Sequence, residues 1–398
     1  MDDDDQLARE DRSLMREAIR LAARVPDRTW PNPPVGALVV RDGRIVGRGA
    51  HCGPGTPHAE VVALEQAGDL ARGATLYCTL EPCNHQGRTP PCAPHVAARG
   101  LRRVVVGVRD PNPRVPGGGL DVLRGAGVDL TLGVAADEAL ELVWPFVVTK
   151  AFERPYVLLK TATSLDGRFA PPVEGDGPAP VYLTGVEARR EVHRLRRWAD
   201  LVLVGAGTML ADRPTLDARL VSAEDDCPGA DPRPGYVDTD LSVESSWRGR
   251  THLVFGGRHS APPARAAVIE KQGGTAVLCE ERHGRVCPAS LLEGLIALGV
   301  YSVLLEGGPA LAQSFLVAGL VDRWVSFVAP CVLGDGPTWP SPGLCDDGAG
   351  GKDCSGKNCG DRLRFSLTRQ DRLGDDARLV LDSAPFHEAL RRLTTLEG

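Results

Sequence analysis

Residues 81–92 read EPCNHQGRTPPC and directly follow an apolar run, residues 74–79, which we expect to form a strand. Upstream, residues 58–60 read HAE and open a segment, residues 59–67, that is typical of a helix. A strand that is followed by a polar loop and flanked by helices is typical of an α/β layer structure. These two stretches therefore predict an α/β layer fold for the N-terminal part of the chain.

Helices and strands alternate on both sides of this segment. The apolar patterns predict helices over residues 11–24, 59–67, 94–99 and 120–126, and strands over residues 35–40, 45–47, 74–79 and 103–108. An Asp-Gly turn at residues 42–43 is typical of a hairpin between the first two strands. The pattern predicts an α/β layer domain over residues 1–150.

A second α/β domain is predicted over residues 151–398, after a boundary near residues 146–155. Its predicted strands cover residues 156–160, 201–204, 251–255, 275–279 and 302–305, and its predicted helices cover residues 185–198, 290–298 and 309–318. Because apolar strands alternate with helices, we expect a mostly parallel sheet with both faces covered. No internal repeat relates the halves, so the sequence predicts two different α/β domains in tandem.

Composition excludes several classes of protein. The chain has 398 residues and a formal net charge of −6, and its 46 basic residues against 52 acidic ones give no overall basic surface for nucleic acid. The first residues, MDDDDQ, are acidic, and no apolar run approaches the roughly 18–20 residues needed to cross a bilayer. We therefore expect a cytoplasmic protein that binds neither nucleic acid nor membrane. In that compartment its 11 cysteines are expected to be thiols or metal ligands rather than disulfides.

One histidine and two cysteines in this region have the composition of a catalytic zinc site. His58, Cys83 and Cys92 would supply three ligands and leave the fourth position of a tetrahedral zinc ion open. A zinc ion in such a site lowers the pKa of a water molecule that it binds. Glu60 lies two residues after the histidine ligand and is placed to take a proton from that water and return it to a leaving amine. The pattern is that of hydrolytic nucleobase deaminases, and an ordinary helix start beside structural cysteines is the alternative.

The long loop between the two cysteines, with His85 and Arg88 inside it, resembles the bifunctional riboflavin-biosynthesis deaminase/reductase family. That family has the loop Glu-Pro-Cys-x-His-x-Gly-Arg-Thr-Pro-Pro-Cys, and this chain matches every fixed position. The resemblance continues through residues 31–33 (PNP), His51 and residues 109–113 (RDPNP). It implies a cytidine-deaminase-like three-layer domain whose pyrimidine and ribose-phosphate pocket is lined by Asn32, His51, His85, Arg88, Asp110 and Asn112.

The second half lacks a Gly-x-Gly-x-x-Gly fingerprint, but residues 304–309, LLEGGP, end a predicted strand and open a helix. Together with residues 160–168 (KTATSLDGR) and 205–212 (GAGTMLAD), they resemble the reductase half of the same family. The resemblance implies a dihydrofolate-reductase-like α/β domain that uses NADPH to reduce an opened ribosylamino sugar to a ribitylamino chain. It assigns the cofactor to Thr163, Thr184, Thr208, Asp212 and Gly308, and the substrate to Arg189, Leu216, Arg219 and Glu306.

The reductase half departs from the family pattern at several positions. Pro180 replaces a serine, Tyr182 replaces a tryptophan, and Arg213 interrupts an Asp-Asp-Pro run. Pro234-Gly235 occupies an expected strand, which such a pair should break. A cysteine-containing insertion, Cys345 to Asp361, is a further departure, and a second zinc site there is disfavoured because no histidine joins its cysteines.

The sequence thus predicts an enzyme that deaminates a diaminopyrimidinone ribosylamino 5′-phosphate and then reduces its ribose, with zinc and NADPH as cofactors. The resemblance favours a homo-oligomer. One alternative keeps the deaminase but makes the second domain an inactive or redirected scaffold. Another is a nucleic-acid base deaminase, which the negative net charge and the lack of a basic strip interleaved with aromatic residues disfavour.

Overall fold

The computed structural model describes residues 3–25, 29–87, 89–112, 118–171, 182–221, 231–244, 247, 250–339 and 364–394. Three features singled out in the sequence lie outside these residues: Arg88, Pro180 and the insertion from Cys345 to Asp361. The described residues form two compact units, the first comprising residues 3–153 with 388–394 and the second comprising residues 154–221 with 231–387. The last described residues thus group with the first unit rather than with the second.

A five-stranded sheet forms the middle layer of the first unit, with strand order β2-β1-β3-β4-β5. Its strands are β1 (Gly36–Arg41), β2 (Arg44–Ala50), β3 (Thr75–Leu80), β4 (Arg103–Val108) and β5 (Asp129–Leu132). Its helices are α1 (Asp3–Ala23), α2 (Ala59–Ala67), α3 (Cys92–Ala97), α4 (Gly118–Gly125) and α5 (Ala136–Phe152). Helices α1 and α5 cover one face and α2 to α4 cover the other, so β3 and β4 are buried and apolar on both faces. The predicted three-layer α/β architecture is confirmed.

Two elements of this unit, β5 and α5, have no counterpart in the sequence prediction. β5 alternates polar and apolar residues over only four positions, the shortest length at which that pattern indicates a strand, and it is only partly buried. In α5, buried residues follow one another from Val143 to Val148 and include Pro145. Because the helix is buried around most of its circumference, the one-sided apolar stripe that identifies a surface helix is missing.

The second unit is built on a nine-stranded sheet with strand order β10-β9-β8-β7-β13-β6-β14-β16-β15. Neighbouring strands are parallel except in the two pairs that β16 forms, with β14 and with β15. Its strands are β6 (Tyr156–Ser164), β7 (Leu201–Gly205), β8 (Arg233–Val237), β9 (His252–Gly257), β10 (Gly274–Cys279), β13 (Ser302–Leu305), β14 (Arg323–Ala329), β15 (Phe365–Leu373) and β16 (Asp376–Ser383). A hairpin pairs β11 (Glu281–Arg282) with β12 (Arg285–Val286). Its helices are α6 (Val186–Trp198), α7 (Ala206–Asp212), α8 (Pro263–Lys271), α9 (Pro288–Glu293) and α10 (Pro309–Val317). Helix α11 (Ala384–Thr394) begins in this unit, and its residues from Glu388 onward group with the first unit. The expected mostly parallel sheet is confirmed.

Pro234 and Gly235 do not break the strand in which they lie. Strand β8 runs through both residues and pairs in parallel with β7 and β9. The N–H of Arg233 donates to the carbonyl of Asp200 on the β7 side, at 2.9 Å. Because successive N–H groups of a strand face opposite neighbours, the nitrogen of Pro234 faces β9. Pairing with β9 begins only at Gly235, opposite Leu253, so the missing N–H of Pro234 removes no hydrogen bond from the sheet.

Gly235 is required by close packing between strands. A Cβ at this position would lie 2.9 Å from Leu201 Cδ1 and 3.1 Å from the Leu253 carbonyl oxygen. We expect Gly235→Ala to lower the free energy of unfolding by about 1–3 kcal/mol in urea denaturation. Gly294→Ala is the matched control, since a Cβ there would meet nothing within 4 Å. Equal unfolding midpoints for the two variants would contradict the packing argument.

Among the described residues, no helix combines the length and the apolar character needed to span a membrane.

Candidate active sites

The three predicted zinc ligands come together at one end of the first unit's sheet. His58 is the residue that precedes α2, Cys83 lies in the loop that follows β3, and Cys92 is the first residue of α3. One ligand atom from each residue can be chosen so that all three lie within 4.8 Å of one another. His58 Nδ1 lies 3.4 Å from Cys83 Sγ and 3.0 Å from Cys92 Sγ. One imidazole and two thiolates are a donor set that suits zinc, so the residues fit the expected metal.

The other nitrogen of the histidine ligand is held by Thr89, a residue for which the sequence analysis predicted no role. His58 Nε2 lies 3.0 Å from Thr89 Oγ1. Metal-binding histidines are commonly fixed by a hydrogen bond at the nitrogen that does not bind the metal. Thr89 therefore orients the ring so that Nδ1 faces the thiols. The fixed threonine of the family loop was the available signal, but a loop sequence does not show which atom its hydroxyl contacts.

We expect Thr89→Val to weaken zinc binding by about 10–100-fold, because the isosteric side chain cannot hydrogen-bond His58. Zinc affinity would be measured by competition with a chelator. Thr89→Ser, which retains the hydroxyl group, is the control and should bind zinc with nearly wild-type affinity. Equal affinities of the valine and serine variants would show that this hydroxyl does not orient the ligand.

Burial and charge give the groups around this cluster unusual proton affinities. A hydrogen bond with Cys92, helped by another with His58, lowers the pKa of Cys83 to about 4, so this sulfur is a thiolate at neutral pH. Glu60 is 3% exposed, and burial raises its pKa to about 7. A carboxyl group with a pKa near the working pH can both accept and return a proton. Glu60 thus has the property that its predicted catalytic role needs.

Asn32 and His51 form a hydrogen-bonded pair next to the predicted zinc ligands. Asn32 Nδ2 lies 2.9 Å from His51 Nε2, and the His51 ring centroid is 5.1 Å from that of His58. His51 Nδ1 lies 3.3 Å from the carbonyl oxygen of Pro57, which can only accept, so Nδ1 carries the proton and Nε2 accepts from Asn32. Burial lowers the pKa of His51, which keeps the ring neutral. The Asn32 side-chain oxygen makes no hydrogen bond with the described residues and can accept one from a ligand.

Asp110 and Asn112 lie in the segment that follows β4. The Asn112 N–H donates to Asp110 Oδ1 at 2.9 Å. Burial, with a contribution from the nearby carboxylate of Glu81, raises the pKa of Asp110 to about 6. The hydrogen bond from Asn112 and the charge of the exposed His85 act in the opposite direction and lower the pKa of Asp110. Of the six predicted pocket residues, Arg88 alone lies outside the described structure.

The second unit contains a partly buried cluster of charged residues centred on Glu306. Arg196 binds both carboxylate oxygens, with Nε 2.6 Å from Oε1 and Nη2 2.9 Å from Oε2. Lys160 Nζ lies 3.9 Å from Oε2. Burial opposes ionisation of Glu306, but Arg196 and Lys160 outweigh it and the pKa of the carboxyl group is lowered. Burial also lowers the pKa of Lys160.

The sequence predicted Glu306 but neither cation of this cluster. Lys160 was quoted only as part of a motif, and Arg196 looks like one more exposed arginine of the amphipathic helix α6. Arg196 also donates to the carbonyl oxygen of Asp217 at 3.1 Å. It thereby connects Glu306 with the segment that carries the predicted substrate residues Leu216 and Arg219.

Two helix N-termini meet at the carboxyl ends of neighbouring parallel strands. Strand β7 leads into α7, and β13 leads into α10 through Gly307 and Gly308. A Cβ at Gly308 would lie 3.8 Å from Thr208 Oγ1, whereas a Cβ at Gly207 would enter open space. Glycines at helix N-termini let a pyrophosphate approach free backbone N–H groups, so these residues fit the phosphates of NADPH. Asp212 lies at the other end of α7 from Thr208.

The remaining predicted residues of this half lie in several separate strands, helices and loops. Thr163 is buried in β6, and Thr184 lies just before α6. The Arg189 guanidinium lies over the Tyr182 ring, 4.7 Å from its centroid, a cation–π contact that involves the residue replacing the family's tryptophan. Arg219 is exposed and pairs with Asp217 at 2.7 Å. Of the predicted cofactor residues, Thr208 and Gly308 lie next to each other, and Gly308 follows Glu306 by two residues.

The fold and the sites define a two-domain α/β enzyme with a zinc-type nucleobase deaminase centre and a nucleotide-binding reductase centre. The family models agree: the cytidine and deoxycytidylate deaminase zinc-binding region matches residues 8–108, and the RibD C-terminal domain matches residues 155–376. The riboflavin biosynthesis protein RibD of Aquifex aeolicus is 40% identical over 332 residues, which cover 82% of this chain and 88% of that protein. The RibD of Mycobacterium tuberculosis is 36% identical over 366 residues, covering 92% and 95%.

Solved structures match over nearly the whole chain. Acinetobacter baumannii RibD, form 1, superposes with a TM-score of 0.74 at 33% identity, covering 95% of this chain and 99% of that one. A diaminohydroxyphosphoribosylaminopyrimidine deaminase/5-amino-6-(5-phosphoribosylamino)uracil reductase from Thermotoga maritima superposes with a TM-score of 0.73 at 32% identity, also covering 95% and 99%. The chain belongs to the RibD family of bifunctional riboflavin-biosynthesis enzymes. It is a zinc-dependent deaminase and an NADPH-dependent reductase, so the predicted activities and cofactors are confirmed and the alternative of a deaminase with an inactive second domain is not favoured.

Proposed function

We propose that the enzyme deaminates 2,5-diamino-6-ribosylamino-4(3H)-pyrimidinone 5′-phosphate and then reduces the ribosyl group of the product to a ribityl chain. The observation that carries the proposal is the cluster of His58, Cys83 and Cys92 beside the buried Glu60 and the Asn32–His51 pair. The Thermotoga maritima relative carries both activities in its name. The family models match residues on the two sides of the proposed division into a deaminase domain, residues 1–150, and a reductase domain, residues 151–398.

In the deaminase, zinc held by His58, Cys83 and Cys92 supplies a Lewis acid that activates water when it is bound. Glu60 takes a proton from the water that attacks the amino-bearing ring carbon and returns it to the departing amine. With its pKa near 7, Glu60 can do both at neutral pH. The free oxygen of Asn32 accepts a hydrogen bond from the pyrimidine, and neutral His51 fixes the orientation of that amide.

The remaining predicted pocket residues hold the rest of the substrate. Asp110 and Asn112, from the segment after β4, supply acceptors and donors for the ribose hydroxyls. His85 and Arg88, from the loop between the two cysteines, bind the 5′-phosphate, since cationic side chains and imidazoles suit that group.

In the reductase, NADPH supplies the hydride when it is bound, and the glycine-lined helix N-termini around Thr208 and Gly308 receive its phosphates. The sugar must open before its C1′ can be reduced, and opening requires a proton at the ring oxygen. Lys160, partly buried and with a lowered pKa beside Glu306, is the donor we assign to this step. Arg196 holds the Glu306 carboxylate in place throughout.

Other predicted residues complete this site. We propose that Thr163, Thr184 and Asp212 contact the cofactor, and that Arg189, Leu216 and Arg219 contact the substrate. Arg219 is placed to reach a phosphate because it is exposed and its described side-chain partners, Thr215 and Asp217, lie in its own loop. Leu216 is buried and offers an apolar contact.

We also propose that the enzyme works in the cytoplasm as a homo-oligomer. A reducing compartment keeps the thiols of Cys83 and Cys92 available for zinc. The oligomeric state rests on the resemblance to the family, and light scattering on the purified protein measures it directly.

A coupled assay on the purified protein tests the proposed function. The diaminopyrimidinone ribosylamino phosphate is supplied with and without NADPH, and ammonia release is followed together with the absorbance of the nicotinamide. We expect ammonia in both cases and NADPH oxidation that depends on prior deamination. Ammonia without NADPH oxidation would restrict the function to deamination, and no ammonia from this substrate would overturn the proposal.

A further inference from the structure

Glu81 is a buried carboxylate to which neither the zinc site nor the proposed chemistry assigns a role. It follows β3 directly, precedes the ligand Cys83 by two residues, and is 6% exposed. Burying a carboxylate is unfavourable unless hydrogen bonds compensate for the lost hydration. Both oxygens of Glu81 are in fact bound by backbone N–H groups, from Asp110 at 3.2 Å and from Leu120 at 2.9 Å.

These two N–H groups belong to the segment that carries predicted substrate residues and to the helix after it. Asp110 follows β4, and its own carboxylate accepts the N–H of Asn112 at 2.9 Å. Leu120 lies in the first turn of α4. The backbone N–H of Glu81 also donates to the carbonyl of Val108, the last residue of β4, at 2.9 Å. The Glu81 side chain therefore connects the loop that contains Cys83 to both Asp110 and α4.

The start of α4 is shaped to allow this approach. Gly118 has a φ of +47°, and a Cβ there would lie 2.4 Å from Glu81 Oε1. At Gly119 a Cβ would lie 1.8 Å from the carbonyl oxygen of Pro82. No larger residue fits at either position, so the backbone of the helix start is closely fitted around Glu81 and Pro82.

We propose that Glu81 is a positioning residue of the deaminase, which sets the Asp110–Asn112 substrate segment at a fixed place relative to the zinc ligand Cys83. The inference deepens the proposed function and rests on it. Among the described residues, the hydrogen bonds shown for the Glu81 carboxylate come from Asp110 and Leu120 and not from His58, Cys83 or Cys92. Its loss should therefore weaken substrate binding while the zinc chemistry continues.

Glu81→Gln tests this, because the amide keeps the shape of the side chain but replaces one acceptor by a donor that faces a backbone N–H. We expect the KM for the diaminopyrimidinone substrate to rise about tenfold, the size expected when one hydrogen bond to a charged group is lost, with kcat within about threefold of wild type. Zinc content by elemental analysis and NADPH-dependent reduction of the deaminated product should not change. Glu65→Gln, an exposed acid on α2, is the matched control.

A merely structural role predicts a different result: both activities or the zinc content would fall together with the thermal midpoint. That result, or an unchanged KM, overturns the inference. A double-mutant cycle with Asp110→Ala adds a second readout, since two residues that act through one segment should raise KM less than the product of their separate effects. A rise in the KM of the double mutant equal to the product of the two single-mutant effects would also overturn the inference. Failure of the wild-type enzyme to deaminate this substrate is a separate outcome and overturns the proposed function itself.

Discussion

Glu60→Gln is expected to reduce ammonia release by a factor on the order of 10²–10⁴ while zinc stays bound. The glutamine has the same shape but cannot accept the proton of the attacking water or return it to the leaving amine. Glu60 is not a ligand, since the described cluster comprises His58, Cys83 and Cys92. Ammonia release is measured under saturating substrate, and zinc by elemental analysis of the same preparation.

Two comparisons make this result specific to proton transfer. Cys83→Ser should lose zinc and activity together, because it replaces a thiolate ligand by a hydroxyl group. NADPH-dependent reduction of the deaminated product should proceed at the wild-type rate in Glu60→Gln. Ammonia release at the wild-type rate in that variant would remove Glu60 from the mechanism.

Lys160→Met is expected to slow NADPH oxidation by a factor on the order of 10²–10⁴ and to leave ammonia release unchanged. Methionine fills a similar volume but carries no proton, and the Arg196–Glu306 pair remains to keep the buried carboxylate satisfied. The fall in nicotinamide absorbance is measured with the deaminated product as substrate. Lys271→Met, an exposed lysine on α8 in the same unit, is the matched control.

The pH profile of the reductase distinguishes a proton donor from a merely electrostatic role for Lys160. Burial lowers the pKa of this lysine from its usual 10.5, so the donor loses its proton as pH rises through that lower value. The wild-type rate should therefore fall on the alkaline side at a pH below 10.5. In Lys160→Met that alkaline limb should be missing from the residual activity. If the alkaline fall in rate persists in Lys160→Met, a group other than Lys160 is responsible for it.

The deaminase centre was predictable from sequence because its ligands lie in two short motifs. The order of strand, loop and helix places Cys83 and Cys92 beside the helix that His58 precedes, and the structure brings one ligand atom of each of the three residues within 4.8 Å of the others. Thr89 was not predictable, since its role depends on which way one hydroxyl in a loop points.

The reductase centre was less predictable because its parts are distant in the chain. Arg196 and Glu306 are separated by 110 positions, and they meet because the end of α6 brings the Arg196 guanidinium to the residue that follows β13. In the same way, Pro234 violates a reliable rule for strands, and only the register of β8 and β9 shows why it is tolerated. Helix α5 was missed because burial on most sides removes the periodic pattern that sequence analysis detects.

In the deaminase, the predicted zinc ligands and some of the predicted substrate residues lie in different segments of the chain. The loop after β3 carries the thiolates, whereas the segment after β4 carries Asp110 and Asn112. On the proposed roles, substitutions of Asp110 or Asn112 change substrate contacts without removing a thiol from the zinc cluster, provided that the N–H groups of residues 110 and 120 still reach Glu81. The side chains of this segment can thus vary as the domain evolves toward other pyrimidines, whereas the path of its backbone must be kept.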